Sequence, residues 1–169
     1  MPVERRKPAG MAPKGVRESL TEVADLMFPP DANMHGTIFG GKILQMVDKA
    51  AGVCAMRHSG KPCVTVAIER VEFHVPIRVG TFLIARARVH HTGRTSIEVG
   101  VEVYAEDMPS GIRHHTNSCL VTFVAVDSDL KPTPVPPLLL KTREEKELWK
   151  AAEKRRKWRL NKTAGRRRL

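Results

Sequence analysis

The chain has 169 residues, 41% of them hydrophobic, enough for one domain with a core of its own plus tails. Its cysteines are Cys54, Cys63 and Cys119. They match no zinc spacing, and their odd number argues against a complete disulfide framework, so reduced thiols in a cytoplasmic setting are expected. The formal charge of +11 sits at the ends. Residues 1–17 carry five Lys/Arg against one acid, and residues 141–169 carry thirteen against four. Between them stand eleven against thirteen, so a core built to bind nucleic acid through its own folded face is unlike this chain. No apolar run reaches the roughly 20 residues that span a bilayer, and the N-terminal residues have no signal-peptide pattern.

Residues 1–17 hold prolines, glycines and scattered charge and read as a disordered basic tail. An extended piece follows from Ser19 to Phe28, then a loop, Pro29 to Gly36, dense in turn and cap formers. Gly40-Gly41 opens an apolar segment to about His58, too long for a strand; it reads as a helix buried nearly all round. Ala50, Ala51 and Gly52 on it predict close packing. After Gly60-Lys-Pro62 the period changes to two. Val64, Val66 and Ile68 share one face, and Val71, Phe73 and Val75 take the opposite parity, so a bulge is expected at Glu69–Arg70. Leu83 to Val89 and Ile97 to Ala105 are further alternating runs, the second with Glu98, Glu102 and Glu106 facing outward. Ser118 to Val126 is apolar on both parities and predicts a strand covered on both faces.

Residues 131–141, rich in proline, read as a stiff linker. A basic helix is expected over 142–160 with a narrow apolar stripe at Leu148, Ala151 and Ala152, and 161–169 reads as a second disordered basic tail. The folded domain is thus placed at 18–130. One helix buried on every side needs a sheet around it, so the class is α+β: a curved antiparallel sheet wrapped around one central helix, in a single domain.

Asp48 is the odd residue, a carboxylate among Leu44, Met46, Val47, Ala51 and Gly52. Removing a carboxylate from water is costly unless it is paired, and Gln45 or a backbone donor offers a purely structural partner. The preceding loop suggests another reason. Asn33, His35 and Gly36 cluster polar groups just before Gly40-Gly41, and glycines at a helix start leave N–H groups open to a ligand. Such N–H groups carry partial positive charge and can hold an oxyanion. A carboxylate, an amide and a helix-start N–H pair make an acyl-transfer constellation.

Three separated stretches carry a family resemblance. They are Asn33-Met-His-Gly-Thr-Ile-Phe-Gly-Gly-Lys-Ile-Leu-Gln-Met-Val-Asp48, Val64 to Gly80, and Val89-His-His-Thr-Gly-Arg-Thr-Ser-Ile-Glu-Val-Gly-Val-Glu-Val103. Together they resemble hotdog-fold acyl-CoA thioesterases, in the branch of the bacterial YciA and brain-type acyl-CoA hydrolases, over roughly residues 18–127. The resemblance implies hydrolysis of fatty acyl-CoA with no cofactor or metal, CoA being part of the substrate. It implies Asp48 as general base or nucleophile, with Asn33 supplied by a partner domain and Gly40 and Gly41 polarising the carbonyl. His35, Thr65 and Val66 are expected at the substrate, and Gly93, Arg94, Thr95 and Ser96 at the CoA phosphates. The implied assembly is a homodimer at least, commonly a trimer of dimers. Two other readings stand beside it. A hotdog hydratase or dehydratase needs His35 or His74 to face Asp48, and a non-catalytic acyl-CoA-binding regulator binds without turnover.

Overall fold

The computed structural model describes residues 10–166, with side chains as far as Asn161. In chain order the elements are β1 (Lys14–Gly15), β2 (Thr21–Leu26), α1 (Gly40–Ser59), β3 (Cys63–Phe73), β4 (Phe82–Thr92), β5 (Ser96–Asp107), β6 (Ile112–Ala125), β7 (Leu138–Leu139) and α2 (Arg143–Arg166). Five strands form one antiparallel sheet in the order β2-β4-β5-β6-β3. All five contact α1. The expected curved sheet around one helix is therefore present.

The period-two runs produce this arrangement. Leu83, Ala85, Ala87 and Val89 on β4, Ile97 to Val103 in alternation on β5, and Cys119, Val121, Phe123 and Ala125 on β6 turn to one face. They meet Ile43, Val47, Ala50, Ala51 and Cys54 of α1. The small residues allow close approach, as their sequence predicts: a Cβ added to Gly52 would touch the Phe123 ring at 3.7 Å. Gly60 ends α1 in the left-handed region at φ 66, its N–H donating to the Met56 carbonyl at 2.8 Å, a conformation that suits glycine.

The helix is not buried all round within one chain. Gln45, Lys49 and Met56 are exposed, and Leu44, Asp48 and Gly52 are only half-buried. The open face lies beside β3, an edge strand whose Val64, Val66, Ile68 and Phe73 are exposed. β3 carries the expected bulge: its register with β6 shifts between Glu69 and Glu72, and Arg70 has φ 52. A second shift falls between Thr65 and Ala67.

The ends of the chain are more ordered than their composition suggests. Within the expected tail, Lys14–Gly15 pairs in parallel with Leu138–Leu139, and Val16 is buried; residues 1–9 lie outside the described residues. The proline-rich stretch is no free linker. Val135 is buried and donates its N–H to the Arg94 carbonyl at 3.0 Å, and buried His58 donates to the Pro136 carbonyl at 3.0 Å. Helix α2 continues through 161–166, where a tail was expected; residues 167–169 lie outside the described residues.

Glu98 faces outward, as its alternation predicts, but not to solvent. It points away from α1, yet it is 2% exposed, because α2 lies over it. Arg155 donates to Glu98 at 2.6 Å, and Arg159 bridges Glu98 at 3.1 Å and Glu69 at 2.7 Å. Trp149 lies against the His91 ring, His91 pairs with Glu153 at 2.7 Å, and Ala152 is fully buried. No helix among the described residues is long and apolar enough to cross a membrane.

Candidate active site

Asp48 sits midway along α1 on its open face, half-buried rather than enclosed. Its partner is not Gln45. Thr65, across on β3, donates its hydroxyl to Asp48 Oδ1 at 2.8 Å. One carboxylate oxygen is thereby held, and the other has no hydrogen bond among the described residues. Sequence reasoning placed Thr65 as a channel residue. Its bond to Asp48 depends on how β3 passes α1, and no local pattern encodes that.

The loop before α1 is shaped by Asn33. Its Oδ1 accepts from the His35 N–H at 2.9 Å and the Thr37 N–H at 3.3 Å, while Nδ2 donates to Thr37 Oγ1 at 2.9 Å. Asparagine side chains commonly close turns this way. One Nδ2 hydrogen stays available to a ligand. Asp31 and Lys42 fasten the loop to the helix: Lys42 Nζ lies 3.1 Å from Asp31 and 3.3 Å from Asp25. The Phe28 N–H and Lys42 hold the Asp31 carboxyl below its ordinary range. His35 is exposed and its backbone alone is engaged.

At the helix start, the Lys42 and Ile43 N–H groups reach the Phe39 carbonyl at 2.9 and 3.4 Å. Those of Gly40 and Gly41 come earlier, in the turn where N–H groups lack intrahelical acceptors. A Cβ on Gly41 would stand 2.3 Å from the Phe39 ring, so only glycine allows the ring to lie where it does. Gly41 is seven residues before Asp48, about 11 Å along the helix axis. No hydrogen bond joins Asp48 to the 33–41 loop among the described residues. The carboxylate and the amide loop thus occupy two positions along the helix of a single chain.

Gly93, Arg94 and Thr95 form the turn between β4 and β5, closed by the Gly93 N–H donating to the Ser96 carbonyl at 2.8 Å. Ser96 pairs with Val124, which pairs with Val64, the neighbour of Thr65. The turn therefore lies two strands from Thr65, roughly 10 Å across the sheet. Val66 is exposed on the edge strand. Two surface concavities lie elsewhere. One of about 630 Å³ lies beside Arg86, Arg88 and Tyr104, and one of about 330 Å³ beside Gly80 and His114; neither touches Asp48.

Other nucleophiles and acids fit poorly. Burial pushes the Cys54 thiol up to about 12 and Cys119 to about 11, and raises Cys63 as well. All three are free thiols that stay protonated. His74 lies beside Glu72 and the His115 ring, not at Asp48.

Residues 35–112 match the thioesterase superfamily. YkhA of Bacillus subtilis, an uncharacterised acyl-CoA thioester hydrolase, is 36% identical over 145 residues, spanning 86% of this chain and 84% of that protein. A hexameric acyl-CoA thioesterase solved in its apo form superposes with a TM-score of 0.85 at 40% identity, over 91% of this chain and 99% of that one. The Staphylococcus aureus acyl-CoA hydrolase in complex with butyryl-CoA, CoA and CoA disulfide gives 0.83 at 31% identity, over 92% and 94%. Three further structures of that enzyme carry alanine for an asparagine, an aspartate and a threonine. The fold is thus that of the hotdog proteins. The chain belongs to the acyl-CoA thioester hydrolase family within the thioesterase superfamily, as its sequence motifs implied.

Proposed function

We propose that this enzyme hydrolyses fatty acyl-CoA thioesters to free acid and CoA, with Asp48 as general base. The observation that carries the reading is the 2.8 Å bond from Thr65 to Asp48 Oδ1 on the open face of α1. That bond fixes one oxygen and aims the other at a water. The water oxygen bonds to the thioester carbon while its proton passes to Asp48. Negative charge then collects on the carbonyl oxygen, where the N–H groups of Gly40 and Gly41 of the partner subunit, which enter with Asn33 of the partner subunit, are suited to receive it. Collapse breaks the C–S bond and releases CoA thiolate, a good leaving group that needs no strong acid. The proton leaves Asp48 to solvent or to the thiolate. The chemistry requires no cofactor beyond the CoA of the substrate.

Spacing supports the assignment. The asparagine, aspartate and threonine replaced in the Staphylococcus aureus enzyme stand 15 and 17 positions apart, as Asn33, Asp48 and Thr65 do here. The assembly follows from the separation along α1. Two copies joined through the exposed β3 edge and the open helix face would bring Asp48 to Asn33 of the partner subunit, giving a homodimer two equal sites. A trimer of such dimers agrees with the hexameric relatives. His35, Thr65 and Val66 would then border the acyl and pantetheine channel. Three free thiols fit a cytoplasmic enzyme.

The test is thiol release from a panel of acyl-CoAs, comparing wild type with Asp48→Ala of unchanged oligomeric size. A large loss of turnover is expected, and wild-type turnover by the variant would remove Asp48 from the mechanism. A single turnover in ¹⁸O-water separates the routes. General-base attack labels the first acid released, whereas an anhydride with Asp48 that water opens at the Asp48 carbonyl leaves that acid unlabelled and places the label on Asp48. Binding without thiol release by wild type would favour the regulator reading.

A further inference from the structure

The C-terminal helix bears on the substrate end of the molecule through one side chain. A Cβ on Gly93 would stand 2.6 Å from Ser96 Oγ and 2.9 Å from Arg156 Nε. The Arg156 guanidinium therefore lies directly on the turn, and residue 93 has no side chain because that space is taken. Arg156 is held there by its neighbours. Arg155 and Arg159 grip Glu98, and Ala152 is fully buried one turn earlier.

Its charge is poorly neutralised. Among the described residues the acid within ion-pair range is Glu153, 4.0 Å away, and that carboxylate has a shorter partner in His91 at 2.7 Å. Beside Arg156 the turn presents Arg94, exposed, and Ser96, half-buried. The Arg156 guanidinium and the Ser96 hydroxyl thus meet at a glycine turn that also carries exposed Arg94, about 10 Å across the sheet from Thr65. Guanidinium forks suit phosphate oxygens, which they bind in bidentate fashion.

Resting on the acyl-CoA reading above, we infer that Arg156 completes a phosphate site with Arg94 and Ser96, so that α2 belongs to the CoA-binding apparatus. The ligand chemistry is the phosphorylated nucleotide end of CoA. The helix has a task in this arrangement that its exposed charge alone would not give it: Arg155 and Arg159 fasten it to the sheet, and Arg156 is carried to a fixed position on the turn.

The experiment measures CoA and pantetheine binding by calorimetry, and KM and kcat for one acyl group carried on CoA and on pantetheine. Arg156→Ala is expected to weaken CoA and raise KM for the acyl-CoA by about tenfold, with kcat and the pantetheine substrate unchanged. Arg156→Lys recovers part of the loss. Gly93→Ala, which keeps Arg156 but pushes it from the turn, gives a loss in the same direction and serves if Arg156→Ala does not fold. Unchanged CoA affinity in a folded Arg156→Ala protein overturns the inference, as does an equal loss on the pantetheine substrate, which indicates a merely structural role. Wild type that binds CoA with this dependence on Arg156 but releases no thiol supports the phosphate site and defeats the hydrolase reading alone.

Discussion

The two helices lie on opposite faces of one sheet and are held there by different physics. Helix α1 is attached by apolar burial: Val47, Ala50, Ala51, Cys54 and Ala55 are all 1% exposed or less. Helix α2 is attached by charge, through the pairs of Arg155 and Arg159 with Glu98 and of Arg159 with Glu69. The contrast explains why function is easier to read on α1. On an apolar helix one carboxylate stands out and needs a reason. On a helix crowded with Lys and Arg no single cation is conspicuous, and the two that lock it down are hidden among those that do nothing comparable.

Breaking each side of this contrast gives a ranked set of outcomes. Asp48→Asn keeps the size of the side chain and should lower kcat by about 10²–10⁴-fold with little change in unfolding, measured by thiol release and urea denaturation. At the other helix, Glu98→Ala removes the Glu98 carboxylate from two partly buried guanidinium groups, Arg155 and Arg159, the second of which keeps Glu69. It should cost about 3 kcal/mol of stability and loosen α2, detected by faster hydrogen exchange of its amides; full protection of α2 in this variant would mean that apolar contacts hold it.

The outer face also predicts a pH response. Buried His90 lies against Gly100, and desolvation holds it down to about 4, with Arg88 adding to the shift. Between the unfolded value near 6.5 and 4, the unfolded chain binds the proton and the folded chain does not. This part of the stability is full above pH 6.5 and falls as pH drops through that window, by roughly 3 kcal/mol at its lower end. His90→Gln should flatten the Tm–pH curve there, and an unchanged slope would exclude His90 as the source.

A smaller effect is expected at Thr65. Thr65→Val removes the donor to Asp48 while keeping the side-chain shape, and kcat should fall about tenfold. Smallest of all, Arg143→Ala breaks the exposed pair with Glu147 and should move stability by less than about 0.5 kcal/mol. A larger change there would mean that the charged surface of α2 is stabilising as a whole.

Much of the fold was legible because its signals are local. A long apolar segment cannot be a strand, alternation at β4 and β5 assigns their inner faces, and the parity slip at Glu69–Arg70 locates a bulge. The two ends were misjudged for one reason. Composition reports the affinity of a segment for water, not whether the rest of the chain supplies partners. Lys14–Gly15 is ordered by β7, and the proline-rich stretch is fixed by the Arg94 carbonyl and by His58. Alternation placed Glu98 on the outer face of its strand, but it does not tell whether a later helix covers that face, as α2 does here.

By itself, then, the sequence determined the family, the central helix, the alternating strands and the types of group available for chemistry: Asp48, Asn33 and the glycine pair. Each follows from neighbours in the chain or from a motif of fixed spacing. Only the tertiary structure decided that Thr65 holds Asp48, that Asp48 and Asn33 stand at different positions along the molecule, and that Arg156 lies on the Gly93 turn. The first and last depend on segments 17 and 63 residues apart meeting in space, and such meetings are fixed by packing and register rather than by any local preference.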